Sequence, residues 1–255
     1  MRGEEPGFEE RVALAVEWIK TSKRLVVFTG AGVSTESGIP DYRGPDGVWT
    51  RRDRGLPPPP MPKPPWECEP NRAHLAIVEL QRMGKLDLLI SQNVDNLHLK
   101  SGIAPGKLVE LHGNSTLLRC LDCDRLIPKK EAGWDDRRHG RGYRTDPPVP
   151  GQPRCQCGGR LISSVVNFGD PMPRRELELA YRHSSECDLF IVVGSSLVVS
   201  PAADMPLLAL RSGARLVIIN RGDTPYDALA DLRFREGAGE TLEAILALLR
   251  ETRSA

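Results

Sequence analysis

The 255-residue sequence lacks both a long apolar run and an excess of charge of either sign. A membrane-spanning helix needs about 20 consecutive apolar residues, and because no run approaches that length we expect no membrane partner. Lysine and arginine together number 35 and aspartate and glutamate 34, which gives a formal net charge of +1. A surface so balanced has no global field that would steer the protein to nucleic acid, so charge does not indicate that partner.

The N-terminus, MRGEEPGFEE, lacks the apolar core of a secretory signal and is acidic. We therefore expect a cytoplasmic protein. Because the cytosol is reducing, the six cysteines are expected to be thiols or metal ligands rather than disulfides. The chain contains no internal repeat, and its length suits one large α/β domain or a domain with a smaller insert.

Continuous apolar segments predict four buried strands, at residues 25–29, 86–91, 189–193 and 216–219. Parallel strands whose two faces are both covered read as unbroken apolar runs of this kind. Apolar residues at helical spacing predict helices near the N-terminus, between the N-cap Asn71 and Gly84, and at the end of the chain. The expected fold class is therefore α/β, an open parallel sheet with helices on both faces and a small insert.

Four cysteines form two close pairs within a segment that is poor in apolar residues: Cys120, Cys123, Cys155 and Cys157. Zinc prefers four thiolates in a tetrahedral array, and four protein ligands leave no open position for catalysis. Metal binding can also supply folding energy that the segment lacks. The pattern predicts one structural zinc ion, the alternative being four unrelated thiols, and Cys68 and Cys187 are interpreted as packing or surface residues.

The segment after the first predicted strand departs from the usual dinucleotide-binding fingerprint, G-x-G-x-x-G opening into a helix. Gly30 and Gly32 match the first two glycines, but Thr35 stands at the third and a polar, aromatic loop follows. An ordinary dehydrogenase, which needs the third glycine and an acidic ribose-binding residue, is therefore the least favoured enzyme. Farther on, PPPPMPKPP predicts an extended surface loop over residues 51–70, which either covers a cofactor or bypasses it.

Motifs along most of the chain, in one order, resemble those of the sirtuin family: GAGVSTESGIPDYRG, SQNVDNLH, ELHGN, the four-cysteine insert, VVNFGD and GSSLVVSPAA. The stretch DYRGPDGVWT is similar to the branch that contains certain nuclear sirtuins of animals. The resemblance implies a Rossmann-like NAD-binding domain over residues 1–43, 71–115 and 163–255, a proline-rich cofactor-side loop at 44–70, and a small zinc-binding module at 116–162. The active cleft would lie between the two domains.

The resemblance also implies the site residues. His112 and Asn93 would be catalytic, and the motif alone selects His112, because spacing does not favour it over the other histidines, His74, His98, His139 and His183. Cofactor contacts are implied for Gly30, Ala31, Gly32, Ser34, Thr35, Asp41, Tyr42, Arg43, Trp49, Gln92, Asn93, Asp95, His112, Gly194, Ser195, Ser196, Asn220, Arg221 and Ala238. Substrate contacts are implied for Val166, Asn167, Phe168, Gly169, Val198 and Val199.

Two positions in these motifs depart from the family pattern, and several of the site residues have ordinary structural interpretations. Tyr42 stands where most relatives carry phenylalanine, and Asn96 stands where glycine is usual, although asparagine tolerates the left-handed backbone better than most residues. Asn93 and Asp95 are also common turn residues, and VVNFGD can be an internal strand and turn. The basic run Arg137, Arg138, His139 and Arg141 is interpreted as a solvated face, because acidic residues adjoin it.

The function implied by the resemblance is NAD-dependent removal of acetyl or longer acyl groups from protein lysines. Its products would be nicotinamide, O-acyl-ADP-ribose and free lysine, and its partners acylated proteins or peptides. Protein mono-ADP-ribosylation and NAD hydrolysis share the step in which nicotinamide leaves, so they stay open as alternatives. A zinc-ribbon module that only recognises acylated or nucleic-acid partners is a different class. The sequence does not indicate the oligomeric state.

Overall fold

The computed structural model describes residues 6–254. The first half of the segment MRGEEPGFEE, on which the prediction of a cytoplasmic protein was based, therefore lies outside the described residues. Strands β1 to β9 run over Leu25–Thr29, Leu86–Ser91, Leu108–Glu110, Leu117–Cys120, Leu126–Pro128, Leu161–Ser163, Leu189–Val193, Arg215–Ile219 and Leu232–Phe234. Helices α1 to α8 run over Phe8–Thr21, Val48–Asp53, Arg72–Arg82, Leu97–Ser101, Asp136–His139, Arg174–Glu186, Met205–Arg211 and Ala238–Ser254. Among these helices none has the length and apolar character that a bilayer crossing needs.

Six strands form one parallel sheet in the order β3-β2-β1-β7-β8-β9. Alternate side chains of a strand point to opposite faces. Val27 of β1 thus packs in a core with α1, α3 and α8, whereas its neighbour Phe28 packs in a second core with α6 and α7. The sheet is covered on both faces, which confirms the predicted fold class and explains why its strands are apolar throughout.

Helix α3 illustrates how local sequence sets an element. The Asn71 side chain accepts hydrogen bonds from the backbone N–H groups of Ala73 and His74, and the Asn71 N–H donates to the His74 ring. The chain leaves the helix through Gly84, whose φ of +71° suits glycine. The helix therefore begins and ends as the sequence predicted, with Ala76 and Ile77 on its buried face.

The four-cysteine insert contains a separate three-stranded antiparallel sheet, β5-β4-β6. Its small core consists of Leu118, Trp134 and Leu161 together with two of the cysteines. Arg119 of β4 makes a salt bridge of 2.8 Å to Glu176 of α6, and both side chains are largely buried. This pair attaches the insert to the layer of helices beside the large sheet.

Two expectations about exposed segments were wrong in part. The loop predicted over 51–70 overlaps the end of α2, because VWTRRD contains neither proline nor glycine and forms a short helix after Gly47. A 3₁₀ turn, Pro65–Glu67, also interrupts it. In the basic run the three arginines are exposed as predicted, but His139 is 5% exposed and packs 5.3 Å from the Trp134 ring.

Candidate active site

The predicted site residues follow the carboxyl ends of five neighbouring strands. Gly30 follows β1, Gln92 follows β2, His112 lies beyond β3, and Gly194 and Asn220 follow β7 and β8. In a sheet of this order, the connections from β1 and β7 leave to opposite sides, and a crevice opens between them where nucleotides bind. The fold therefore brings the candidates from distant sequence positions to one edge of the sheet.

The two glycines of the first turn serve a backbone contact that the sequence did not reveal. The Gly30 N–H donates to the Val193 carbonyl at 3.1 Å, and the Gly32 N–H donates to the Gly194 carbonyl at 2.8 Å. A Cβ atom on Gly32 would lie 2.8 Å from Gly194 Cα, which is closer than real Cβ atoms approach. These two N–H groups of predicted cofactor residues are thus bonded to the last residue of β7 and to the residue that follows it.

Ser34, Asn93 and Asp95 form a compact polar cluster after β1 and β2. The Ser34 hydroxyl donates to Asp95 Oδ2 at 2.6 Å, and Asn93 Nδ2 donates to Ser34 Oγ at 3.1 Å. Asp95 Oδ1 accepts from the Leu97 N–H at the start of α4. Asn93 is 7% exposed, and within residues 6–254 its Oδ1 atom has no hydrogen-bond partner. The cluster therefore presents one buried acceptor that a ligand amide can satisfy.

A backbone carbonyl group after β2 holds the His112 ring in one tautomer. Its Nδ1 atom lies 2.8 Å from the Gln92 carbonyl oxygen, which can only accept a hydrogen bond. Nδ1 therefore carries the proton of the neutral ring, and Nε2 carries a lone pair. Burial lowers the pKa of His112, although the bond to Gln92 opposes this change. The ring is therefore neutral near pH 7 and able to accept a proton at Nε2.

The other four histidines have structural surroundings. His74 and His98 are buried, with ring centroids 4.9 Å apart, and burial lowers the pKa of His74 to about 4. His139 lies in the insert, and His183 pairs with Asp87 at 2.7 Å near the amino end of β2. The positions of these four histidines favour His112 as the predicted catalytic histidine, a choice that spacing alone could not make.

An aromatic cluster joins the predicted cofactor loop to the predicted substrate loop. The Tyr42 and Trp49 ring centroids are 5.0 Å apart, and those of Trp49 and Phe168 are 6.1 Å apart. The Arg43 guanidinium lies 4.2 Å from the Trp49 ring centroid, and burial lowers the pKa of Arg43. Phe168 is 81% exposed, so this cluster has an open apolar face. The carboxylate of Asp41 accepts from the Gly44 N–H and holds the turn that carries the loop.

The predicted cofactor residues that follow β7 and β8 lie along the other half of the crevice. Ser195 Oγ accepts from Gln92 Nε2 at 2.7 Å, which links the segments after β7 and β2. Asn220 Nδ2 donates to the Gly222 carbonyl, Arg221 is exposed, and Ala238 begins α8.

The remaining candidate residues differ in their exposure. Three lie on the surface, Thr35, Asn167 and Val198, and four are partly buried, Ala31, Val166, Ser196 and Val199. Gly169 is exposed with φ +89°.

The four paired cysteines lie together in the insert. All their sulfur atoms are within 4.8 Å of one another, with 3.5 Å between Cys120 and Cys157 and 3.6 Å between Cys123 and Cys155. A tetrahedral zinc ion with Zn–S bonds of about 2.3 Å separates its sulfurs by about 3.8 Å. The four thiols fit one structural zinc ion, while Cys68 and Cys187 are buried packing residues, as predicted.

Comparison with known proteins agrees with this geometry. A model of the Sir2 family matches residues 30–57 and 60–201. NAD-dependent protein deacetylase 1 of Bradyrhizobium diazoefficiens is 41% identical over 249 residues, covering 89% of this chain and 91% of its own length. NAD-dependent protein deacylase 2 of Archaeoglobus fulgidus is 39% identical over 266 residues, with coverages of 96% and 99%.

A solved structure gives the same result. It is a Sir2 variant with a deacetylated p53 peptide and 3′-O-acetyl ADP-ribose, 30% identical to this chain with a TM-score of 0.72, and the match covers 93% of this chain and 98% of that one. The family match spans most of the crevice and the whole insert. The similarity to a particular branch stays a prediction. From its motifs, its sheet and these matches, the chain belongs to the Sir2 family.

Proposed function

We propose that the protein uses NAD as a co-substrate to remove acetyl or longer acyl groups from protein lysines. The observation that carries this function is that Asn93 Oδ1, which has no hydrogen-bond partner among residues 6–254, lies at the same edge of the sheet as the neutral His112 ring. Relatives named as NAD-dependent deacetylases and deacylases support it. The structure that contains a deacetylated peptide and an acetylated ADP-ribose supports the same reaction.

Asn93 is proposed to hold the nicotinamide carboxamide. Its Oδ1 atom needs a donor, because an unpaired buried acceptor is costly, and a carboxamide N–H supplies one. Ser34 and Asp95 fix the Asn93 side chain through the contacts of 3.1 Å and 3.4 Å that its Nδ2 atom makes. This arrangement orients the nicotinamide ring so that the acyl oxygen of the substrate can reach the ribose carbon as nicotinamide leaves.

His112 is proposed to act as the general base. After the acyl oxygen has bonded to the ribose carbon, Nε2 takes a proton from the neighbouring ribose hydroxyl, which then attacks the acyl carbon. Water completes the release of lysine and leaves O-acyl-ADP-ribose. The Tyr42 and Trp49 rings lie beside the crevice, where they would keep water from the reacting carbon.

The acyl-lysine segment is proposed to lie between residues 165–170 and Val198–Val199. Phe168 and Val198 are large apolar side chains with exposed fractions of 81% and 50%, and a bound peptide would cover them. Recognition mainly through main-chain hydrogen bonds would give low selectivity for sequence. Four of the six cysteines are grouped as metal ligands, which supports action in a reducing compartment such as the cytoplasm.

The function is tested by incubating the protein with NAD and a series of acyl-lysine peptides of increasing chain length. Mass spectrometry should detect O-acyl-ADP-ribose and free lysine in equal amounts. Absence of both products for every chain length would refute the proposal. Transfer of labelled ADP-ribose to protein without lysine release would identify a mono-ADP-ribosyltransferase instead, and NAD cleavage alone would identify a hydrolase.

A further inference from the structure

The chain crosses between the large sheet and the insert twice, and the two crossings lie side by side. The first follows His112 and leads to β4, and the second leads from β6 to the predicted substrate loop. The Ser164 N–H donates to the Leu117 carbonyl at 3.1 Å, and the Val166 N–H donates to the His112 carbonyl at 2.9 Å. Contacts between these crossings therefore determine how the base sits relative to the substrate loop.

Asn114 and Ser164 make a reciprocal pair of hydrogen bonds at this point. The Asn114 N–H donates to Ser164 Oγ at 3.0 Å, and Ser164 Oγ donates to the Asn114 carbonyl at 2.8 Å. The two residues are 0% and 4% exposed, so water does not compete for these groups. Because the Ser164 hydroxyl has a single proton, the pair fixes its orientation. The sequence motifs gave no signal for this contact, which joins positions 50 residues apart.

The side chain of Asn114 extends the same contact to the catalytic segments. Its Nδ2 atom donates to Glu110 Oε1 at 2.8 Å and to Asn96 Oδ1 at 3.0 Å. Its Oδ1 atom accepts from the N–H and hydroxyl of Thr116 at 2.9 Å and 2.7 Å. Glu110 precedes His112, and Asn96 follows the cluster of Asn93 and Asp95. Asn114 is thus bonded to the turn that carries His112, to the segment that carries Asn93 and Asp95, and to the second crossing.

The backbone beside this pair has no spare room. Gly113 adopts φ +75°, and a Cβ atom there would overlap the Ser164 carbonyl oxygen. The two crossings are therefore in direct backbone contact between His112 and Asn114. A displacement of Ser164 is therefore expected to move either the turn that carries His112 or the loop that begins at Val165.

We propose that Asn114 and Ser164 are positioning residues that hold the substrate loop in register with His112. The proposal rests on the proposed function and names the device that sets the distance between the base and the bound acyl-lysine. Both residues are buried, so their role is assigned to positioning rather than to contact with substrate. They act by fixing the segment that carries His112 and the substrate loop.

The test compares Ser164→Ala, which leaves the Asn114 N–H and carbonyl without the hydroxyl, with Ser164→Thr, which keeps it. Ser184→Ala is the matched control, because Ser184 is also a buried serine but lies on α6, outside both crossings. Ser164→Cys, with a weaker hydrogen-bonding group, provides an intermediate variant if alanine prevents folding. Dissociation constants for an acetyl-lysine peptide and for NAD, kcat and Tm are measured for each.

We expect Ser164→Ala, which removes both hydrogen bonds to Asn114, to weaken peptide binding at least about tenfold and to lower kcat. Its NAD dissociation constant should stay within about twofold of the wild-type value, since the Asn93 cluster is untouched. Ser164→Thr should recover peptide binding, Ser164→Cys should fall between, and Ser184→Ala should match the wild type in both dissociation constants. A merely structural role would lower Tm and change the dissociation constants for peptide and for NAD by similar factors.

Equal changes in peptide and NAD binding, or no recovery by threonine, would overturn the positioning role. This failure is distinguishable from failure of the proposed function. A wild-type protein that binds the peptide but forms no deacylated product refutes the function alone. An active wild-type protein whose Ser164 variants differ only in Tm refutes the positioning role alone.

Discussion

Replacing Glu110 by glutamine is predicted to stabilise the protein most at alkaline pH. Burial raises the pKa of this carboxyl from 4.5 to about 7, even though Asn114 Nδ2 donates to it. Asp95, after β2, and Glu176, on α6, face it and raise the pKa further. The folded protein therefore holds the proton more tightly than the unfolded chain does.

The sign and size of the effect follow from this difference. Below pH 4.5 the Glu110 carboxyl is protonated in both the folded and the unfolded protein, so it does not lower the free energy of unfolding. As the pH rises from 4.5 to about 7 the unfolded chain ionises first, so the free energy of unfolding falls. Each pKa unit corresponds to about 1.36 kcal/mol, so the full loss is about 3 kcal/mol. Glutamine keeps an oxygen that can accept from Asn114 but does not ionise.

The assay is urea unfolding of the wild type and of Glu110→Gln from about pH 5 to about pH 8, the range in which the carboxyl titrates. The free-energy difference between them should grow with pH up to about 7 and then stay constant. Glu251→Gln, on the exposed surface of α8, is the matched control and should show no such trend. A difference independent of pH, or a glutamine variant that is less stable at about pH 8, would refute the reasoning.

Three further predictions concern the base, the metal and the attachment of the insert. His112→Ala should fold normally and bind NAD yet lose at least about 100-fold in kcat, and steady-state kinetics showing retained turnover would remove it from its role. Cys123→Ser, at an exposed ligand, should lower the bound zinc measured by elemental analysis and make the insert sensitive to protease; an intact zinc-free insert would contradict this. Arg119→Met should destabilise by about 3 kcal/mol, because Glu176 is left buried and unpaired. Adding Glu176→Leu should recover part of that loss in urea unfolding, and strictly additive losses would contradict the pairing.

The long sheet strands could be predicted because both of their faces are buried. Residues 25–29 are apolar throughout, apart from Thr29, and are all buried in β1. By contrast β3, β5, β6 and β9 have three residues each, too few for a period to be recognised. They form because a neighbouring strand already provides a hydrogen-bonding edge, which is a tertiary effect. His139 was misjudged for the same reason, since its burial depends on Trp134.

The candidate site could be predicted as a set of residues but not as a set of contacts. The motifs named His112 and Gly32, and the cysteine spacing named the metal ligands, whereas the partners Gln92 and Gly194 are distant in sequence. The roles of the site residues, the domain boundaries and the branch within the family stay predictions. Backbone contacts between strand ends carry no mark in the sequence, so only a structure could reveal them.

The central claim is that the acyl oxygen of the substrate attacks the ribose carbon of NAD in the crevice beside His112. It is tested by a peptide whose lysine carries an acetyl group labelled with heavy oxygen in its carbonyl, with the products analysed by mass spectrometry. The account predicts that the labelled oxygen is recovered in the ADP-ribose part of the product. Recovery of the label in free acetate, or unlabelled ADP-ribose beside intact acetyl-lysine, would contradict it.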